Sequence, residues 1–452
     1  MSSGGIGRRR LLLASAGAAL MTPLAAACAS GTDEERVEFR SPTVTDTPSA
    51  KNVRDFGAVG DGVADDTDAV LSAFADAGER VVVYFPAGNY RVSRWPEMVD
   101  YTAVLGDGGD VSTVIYDGDA TLIELRNTQR INFRRLGFFA TRNGSTVVSL
   151  ANCFRCSFDS VVIRGNHSSG TYPDFLDQRG VVLSENTGGT SFVNCDINNF
   201  GTGVVTSCIQ NYLTSSKLTS NYVGVLGTGN DFNAGLSFAN VEFVSDNDPN
   251  TTDTHLRIDG ASNDWWLANV WFEGCDKAVV VGEAGRGGPA QFGMVNCKVA
   301  ARTICIDLRY CRQPYLANVR FDPDPDRQPV ELRIDAAGCA HGTAVGLVSS
   351  AADDIALDTF PPGWIVTGRG VASAPTFVGT VVARGSTEGV DLVQARTVND
   401  ELVAAVLPSG TWLSERSDGG VVLKDSAGAY WRLTVETDGS VRTSSLGEVR
   451  PT

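Results

Sequence analysis

The chain has no surplus of positive charge. Its 37 Lys and Arg stand against 53 Asp and Glu, giving a net charge of −16 at pH 7. Such a surface repels phosphate backbones, so nucleic acid is not an expected partner. Past residue 30 no apolar run is long and clean enough for a retained membrane span. The cysteines show no zinc spacing: Cys153-x-x-Cys156 lacks a second pair. Beyond Cys28 there are nine, an odd number that forbids complete pairing within one chain. Export would permit disulfides, but the spacing does not say which form is present. Glycine is what the chain has in quantity, 49 of 452 residues, with length enough for one large domain and a small one.

The first 28 residues read as an address. Arg8-Arg9-Arg10 precede Leu11-Leu12-Leu13 and an Ala-rich apolar core reaching Ala27, the pattern of a twin-arginine export signal. Cys28 follows Leu24-Ala25-Ala26-Ala27, a loose lipoprotein cleavage box, so lipidation of Cys28 and simple cleavage are both open. The expected location is secreted, or anchored on the outer side of a bacterial cell membrane through a lipid on Cys28. The expected organisation is 1–28 signal, 29–50 linker, 51–369 main domain and 370–452 small β module.

The stretch from Asn52 to Ser93 sets the main domain. Gly57, Gly60 and Gly62 punctuate a turn, and Asp65-Asp66-Thr67 supply capping oxygens and first-turn negative charge. Val70, Leu71 and Phe74 fall at helical spacing, with Gly78 as the expected stop, and Val81 to Phe85 reads as a buried strand. Asp61, Asp65 and Asp66 are read as cap and turn residues, not as catalysts. The words DFGAVGDG, DDTDAV and VVYFPAGNY, followed by VLGDGGDVSTVIYDG at Val104 to Gly118, resemble the opening segment of the pectate-lyase-like family, the group of rhamnogalacturonase-like and tailspike-like proteins. The resemblance implies an all-β fold, a right-handed parallel β-helix with a short N-terminal capping helix. It does not specify a reaction, since that family includes hydrolases, lyases, epimerases and proteins without known activity.

From about Asn127 to Arg320 the chain repeats a word, apolar-x-Asn-apolar-x-apolar. It occurs around Asn194, Asn240, Asn269, Asn296 and Asn318, with weaker copies at Phe133 to Phe138, Phe158 to Ile163 and Leu213 to Leu218. From Asn240 the spacings are 29, 27 and 22, one solenoid coil per repeat. Asn suits the corner because it tolerates left-handed angles and bonds to its counterpart one coil away. The segments alternate with period two and are rich in Val, Phe and Thr, which excludes helical repeats. Cys195 and Cys297 fall on inward positions, where a thiol packs as a small hydrophobe.

A solenoid fills its interior with side chains, so substrate must lie on an outward face. Aligned repeats predict one outward column of Asp196, Lys217, Glu242, Trp271, Lys298 and Arg320, and a second of Asn198, Thr219, Val244, Glu273, Ala300 and Asp322. Before the corner comes an aromatic column, Trp266 and Tyr315 separated by Gly293. Aromatic faces stack on sugar rings, so Trp266, Trp271 and Tyr315, with Lys217, Lys298 and Arg320, are the expected polysaccharide-binding residues. Glycoside hydrolysis needs an acid and a base or nucleophile. Glu242 and Glu273, in neighbouring coils with Cα atoms roughly 8 Å apart, are the first candidates, Asp246 and Asp196 the next. A tryptophan beside Glu273 is expected to desolvate it and favour its acid form.

Polygalacturonase-like relatives carry Asn-Thr-Asp, Asp-Asp and Gly-His-Gly words that are missing here. The histidines are only His167, His255 and His341. A lyase acting on uronate glycans is the second reading, with Lys217, Lys298 or Arg320 neutralising the uronate and acting as base. A non-catalytic glycan-binding or structural surface protein is the third. No cofactor is expected; calcium held by Asp246 to Asp253 or Asp322 to Asp326 is the one metal the acidic loops suggest, without a defined calcium-loop spacing. Val371 to Thr452 reads as short antiparallel strands around Trp431, a cap on the open end or a glycan-binding module. The chain is expected as a monomer or homotrimer.

Overall fold

The computed structural model describes residues 50–75, 80–208, 210–229, 235–260, 262–323, 327–350, 355–367, 376–377, 393–396, 402–415, 420–449 and 451. The expected signal, Cys28, the linker up to Ser49, and Asp324 to Asp326 lie outside these residues.

Each coil of the chain makes three short strands, and stacked coils build three sheets of 14, 12 and 9 strands among the described residues, here A, B and C, parallel throughout except for Thr376–Phe377, which joins the end of A antiparallel. One coil runs Leu236–Ala239 in A, Glu242–Val244 in B and Thr254–Ile258 in C. Ser262–Ala268 then begins the next rung of A. The architecture is the expected right-handed parallel β-helix. Register holds along the stack: Leu213, Phe238, Leu267, Met294 and Leu316 are successive Cα partners, all pointing inward and buried. Inward aromatics stack rung on rung. Phe133, Phe158 and Phe192 have centroids 4.9 and 4.7 Å apart, close to the roughly 4.8 Å between strands.

The corner from A to B is a single left-handed residue per coil. Asn194, Asn240, Asn269, Asn296 and Asn318 have φ of 52 to 55°, and Arg135, Ser160 and Ser215 take the same place in the weaker copies. Asn pays least for that angle because its short amide bonds locally. The Asn269 amide donates to Asn240 at 3.1 Å and that of Asn318 to Asn296 at 2.7 Å, so the corners are stitched along the axis.

Helix α1 (Thr67–Phe74) covers the first rungs, burying Val70, Ala73 and Phe74 and setting Phe74 against Trp95 at 5.7 Å. The cap is made by Asp65, whose carboxylate accepts from the Thr67 N–H at 3.0 Å. Asp66 instead accepts from Val59 and Gly60, and Asp61 from Val63 and Ala64, so all three close turns as expected. The helix ends at Phe74, and Gly78, the expected stop, lies outside the described residues. At the C-terminal side, Val393–Arg396, Leu402–Val406 and Trp412–Ser414 form one antiparallel sheet; Val421–Lys424, Tyr430–Val435 and Val441–Gly447 form another. Trp431 is on a face of the second, its N–H on Asp425 at 2.8 Å.

Candidate functional site

Sheet B carries the expected column in register. Asp196, Lys217, Glu242, Trp271, Lys298 and Arg320 are successive Cα partners, and Asn198, Thr219, Val244 and Glu273 follow two residues further on. Glu242 and Glu273 thus share one wall and face outward. Trp266 and Trp271 remain 43 % exposed, so neither the Ser245 to Asp253 loop nor any other described segment covers them.

Along the axis the two glutamates part company. Glu242 turns back to the Lys217 ammonium, 3.0 Å away, while Glu273 reaches forward to Lys298 at 3.2 Å. Lys298 also holds Asp322 at 3.0 Å and sits 4.6 Å over the Trp271 ring. Trp271 therefore stacks on the ammonium rather than desolvating Glu273, which is half-exposed; the expected acid-favouring environment is replaced by an ion pair. One cation bridging two carboxylates makes Asp322 the close partner of Glu273. Its place two rungs on in the second column, with only Ala300 between, was the sequence signal for it.

Hydrogen bonds from Lys298 and then Ser350 hold the Asp322 carboxyl below its usual range, so it is ionised at neutral pH. Burial pulls the Lys298 ammonium down, but bonds to Asp322 and Glu273 outweigh it and raise it overall. Lys217 is likewise raised, by its bond to Glu242. Both lysines stay protonated. Beside this trio lies a cavity of about 410 Å³ lined by Glu273, Asp322, Ser245, Asn247 and Arg302 among others.

The cavity rim is pinned from inside by two histidines whose role the sequence did not reveal. His255 is fully buried, and its Nε2 donates to the Glu273 carbonyl at 2.7 Å. His167, also buried, contacts the Thr251 carbonyl at 2.9 Å with Nε2 and so holds the loop that contributes Ser245 and Asn247. Burial pushes both imidazoles below their ordinary value, His255 to about 4. Asp246 shapes this loop, accepting from the Asp248 N–H and Thr251 hydroxyl, each at 3.1 Å. Asp196 lies three rungs from Glu273 in the stack, one carboxylate oxygen enclosed without a hydrogen-bond partner. Arg320 is exposed beyond Lys298. Among the described residues no group of three or more His, Cys, Asp or Glu is placed to hold a metal. The nine described cysteines are all buried and unpaired.

Coils, corner ladder and capped N-terminal end define a right-handed parallel β-helix, the fold of the pectate-lyase-like proteins that the chain resembles. Residues 50–225 match the family model described as "Rhamnogalacturonase A/epimerase, pectate lyase-like". The chain is 43% identical over 79 residues to the non-secreted LysM effector LysM19 of Penicillium expansum, 14% of this chain and 6% of that protein. It is 55% identical over 51 residues to the mannuronan C5-epimerase AlgE1 of Azotobacter vinelandii, 11% of this chain and 4% of the enzyme. These matches thus span a small fraction of the relatives' length. In three dimensions the A-module of the Azotobacter vinelandii mannuronan C-5 epimerase AlgE4 superposes with a TM-score of 0.50 at 17% identity, over 70% of this chain and all of that module. That likeness shows the fold.

Proposed function

We propose that the protein is exported and hydrolyses glycosidic bonds of an extracellular polysaccharide at the cavity between Glu273 and Asp322. The supporting observation is the shared ammonium: Lys298 draws two carboxylates from alternate coils to one point on a cavity wall. Asp322, kept ionised, is the base or nucleophile, and Glu273, its backbone fixed from behind by His255, is the second carboxyl of the pair; its acid role requires the bound sugar to displace Lys298 from it. Trp271, two residues before Glu273 on the same strand, offers the sugar an exposed apolar ring, with Lys298 across its other face. Export rests on Arg8 to Ala27, and activity on polysaccharide agrees with the names of the epimerase relatives.

The lyase reading loses support because Lys217 and Lys298, two of its three candidate bases, are held as ammonium ions by carboxylates, leaving Arg320. The test is reducing-sugar release from a glycan panel. Glu273→Gln and Asp322→Asn should each lower turnover by about 100-fold or more, with Glu242→Gln retaining most of it. Wild-type rates in both cavity variants would remove the assignment. Products with the ultraviolet absorbance of unsaturated uronates would replace hydrolysis by elimination.

A further inference from the structure

Around the corner from the cavity, the outer face of sheet A carries a row that the proposed chemistry does not use. Tyr212, Ser237, Trp266, Gly293 and Tyr315 are successive Cα partners, alternating large and small. The three rings are 43, 43 and 40 % exposed. The alternation is enforced by contact, for a Cβ at Gly293 would lie 2.4 Å from Cε3 and Cζ3 of Trp266. The indole therefore rests on the Gly293 backbone and leans away from Tyr212. On its other side, above Ser237, a cavity of about 230 Å³ separates Trp266 from Tyr212. A polar row, Asp264, Gln291 and Gln313, runs alongside. On the opposite side the row is Thr214, Ala239, Ala268, Val295 and Ala317.

The rungs that carry the rings are about 10 Å apart along the axis. Two sugars of an extended chain span about that length. In a 1,4-linked hexopyranose chain with both bonds equatorial, successive residues flip, so every second sugar presents the same face. A ring at alternate rungs meets that face each time, and the amide row supplies partners for hydroxyls. Charge selects among such chains. The three rows carry one acidic side chain, Asp264, and no basic one, on a protein of net charge −16, and the neighbouring Lys217 and Lys298 are already held by Glu242, Glu273 and Asp322. Nothing on these rows offsets a uronate carboxylate.

We propose that this row is a binding site for a neutral, extended, diequatorially 1,4-linked glycan laid along the solenoid axis, its first, third and fifth sugars on Tyr212, Trp266 and Tyr315. The site is separate from the cavity and does not depend on hydrolysis there.

Calorimetric titration of the full chain carrying Glu273→Gln, which consumes the probe at least about 100-fold more slowly if the cavity is hydrolytic, tests it with cellohexaose and β-1,4-mannohexaose. At least one should bind. The matching trisaccharide, reaching two rings, should bind about tenfold more weakly. Trp266→Ala and Tyr315→Ala should each weaken the hexasaccharide about tenfold, and Ser237→Trp, which fills the empty rung, should do the same. Binding of neither hexasaccharide, equal or tighter binding of hexagalacturonate, or wild-type affinity in all three row variants would overturn the proposal. Loss of row binding with intact polysaccharide turnover in the otherwise unchanged chain leaves the cavity assignment standing, and the reverse result leaves the row.

Discussion

Acid should loosen this protein through His255 before its carboxylates titrate. The imidazole is buried between Phe243 and Phe272, with ring centroids 5.6 and 6.3 Å away, and donates to the Glu273 carbonyl at 2.7 Å. Burial lowers it from an ordinary 6.5 to about 4, the bond to Glu273 offsetting only part of that. Because the folded value lies below the unfolded one, the unfolded chain binds the extra proton first. Stability is fully present above pH 6.5 and drains away as pH falls toward 4. A difference of about 2.5 pH units at about 1.4 kcal/mol each is about 3 kcal/mol from this one residue. His167 is depressed in the same direction and adds to the loss. The comparison to make is guanidinium unfolding of wild type and His255→Leu at several pH values from 7 to 4. At pH 7 the variant should be less stable by about 1 kcal/mol, since it removes one of the two donors to the Glu273 carbonyl and leaves the Ser245 N–H at 3.1 Å. The gap should shrink by about 3 kcal/mol by pH 4, and can reverse sign, while carboxylate contributions common to both cancel. A gap independent of pH would refute the reasoning.

At the Asn corner, Asn269→Ala should cost about 1–3 kcal/mol, from its left-handed angle and the lost bond to Asn240, and Asn269→Gly less than Ala; equal melting temperatures for the two would contradict the angle's role. Gly137→Ala should abolish soluble folded protein, because its Cβ would sit 2.0 Å from the Gly109 carbonyl oxygen. Gly293→Ala, which meets only the movable Trp266 ring, should shift tryptophan fluorescence at a cost within about 1 kcal/mol. The nine described cysteines should resist a thiol reagent in the folded state and react on unfolding. In partly opened protein Cys153 should lead, since its neighbours Cys156 and Thr128 hold its thiol below the ordinary value. Rapid native-state labelling of any of the nine would contradict this burial.

The coil pattern was legible because one rung of a parallel solenoid repeats the same physical demands. An inward apolar residue, a corner residue that tolerates positive φ and an outward polar residue recur, so Asn240, Asn269 and Asn296 announced both corner and register. The column Lys217, Glu242, Trp271, Lys298 could be written down from that register alone. The partnership of Glu242 with Glu273 was a different matter. Register places Cα atoms, but a long side chain can reach up or down the axis, and each glutamate took the nearest ammonium. The two histidines escaped for a related reason: each bonds a carbonyl of another segment, and no spacing in the sequence marks such a bond.

By itself, then, the amino-acid order determined the solenoid, its corners and which residues share an outer wall, since those follow from local backbone preference and period-two burial repeated coil after coil. Only the tertiary structure decided that Asp322 joins Glu273 on Lys298, that Trp271 lies on that ammonium, and that His255 stands behind the site. Those choices are settled by competition among charges and hydrogen bonds brought together from different coils, where a rotamer change of one side chain outweighs anything its neighbours in sequence dictate.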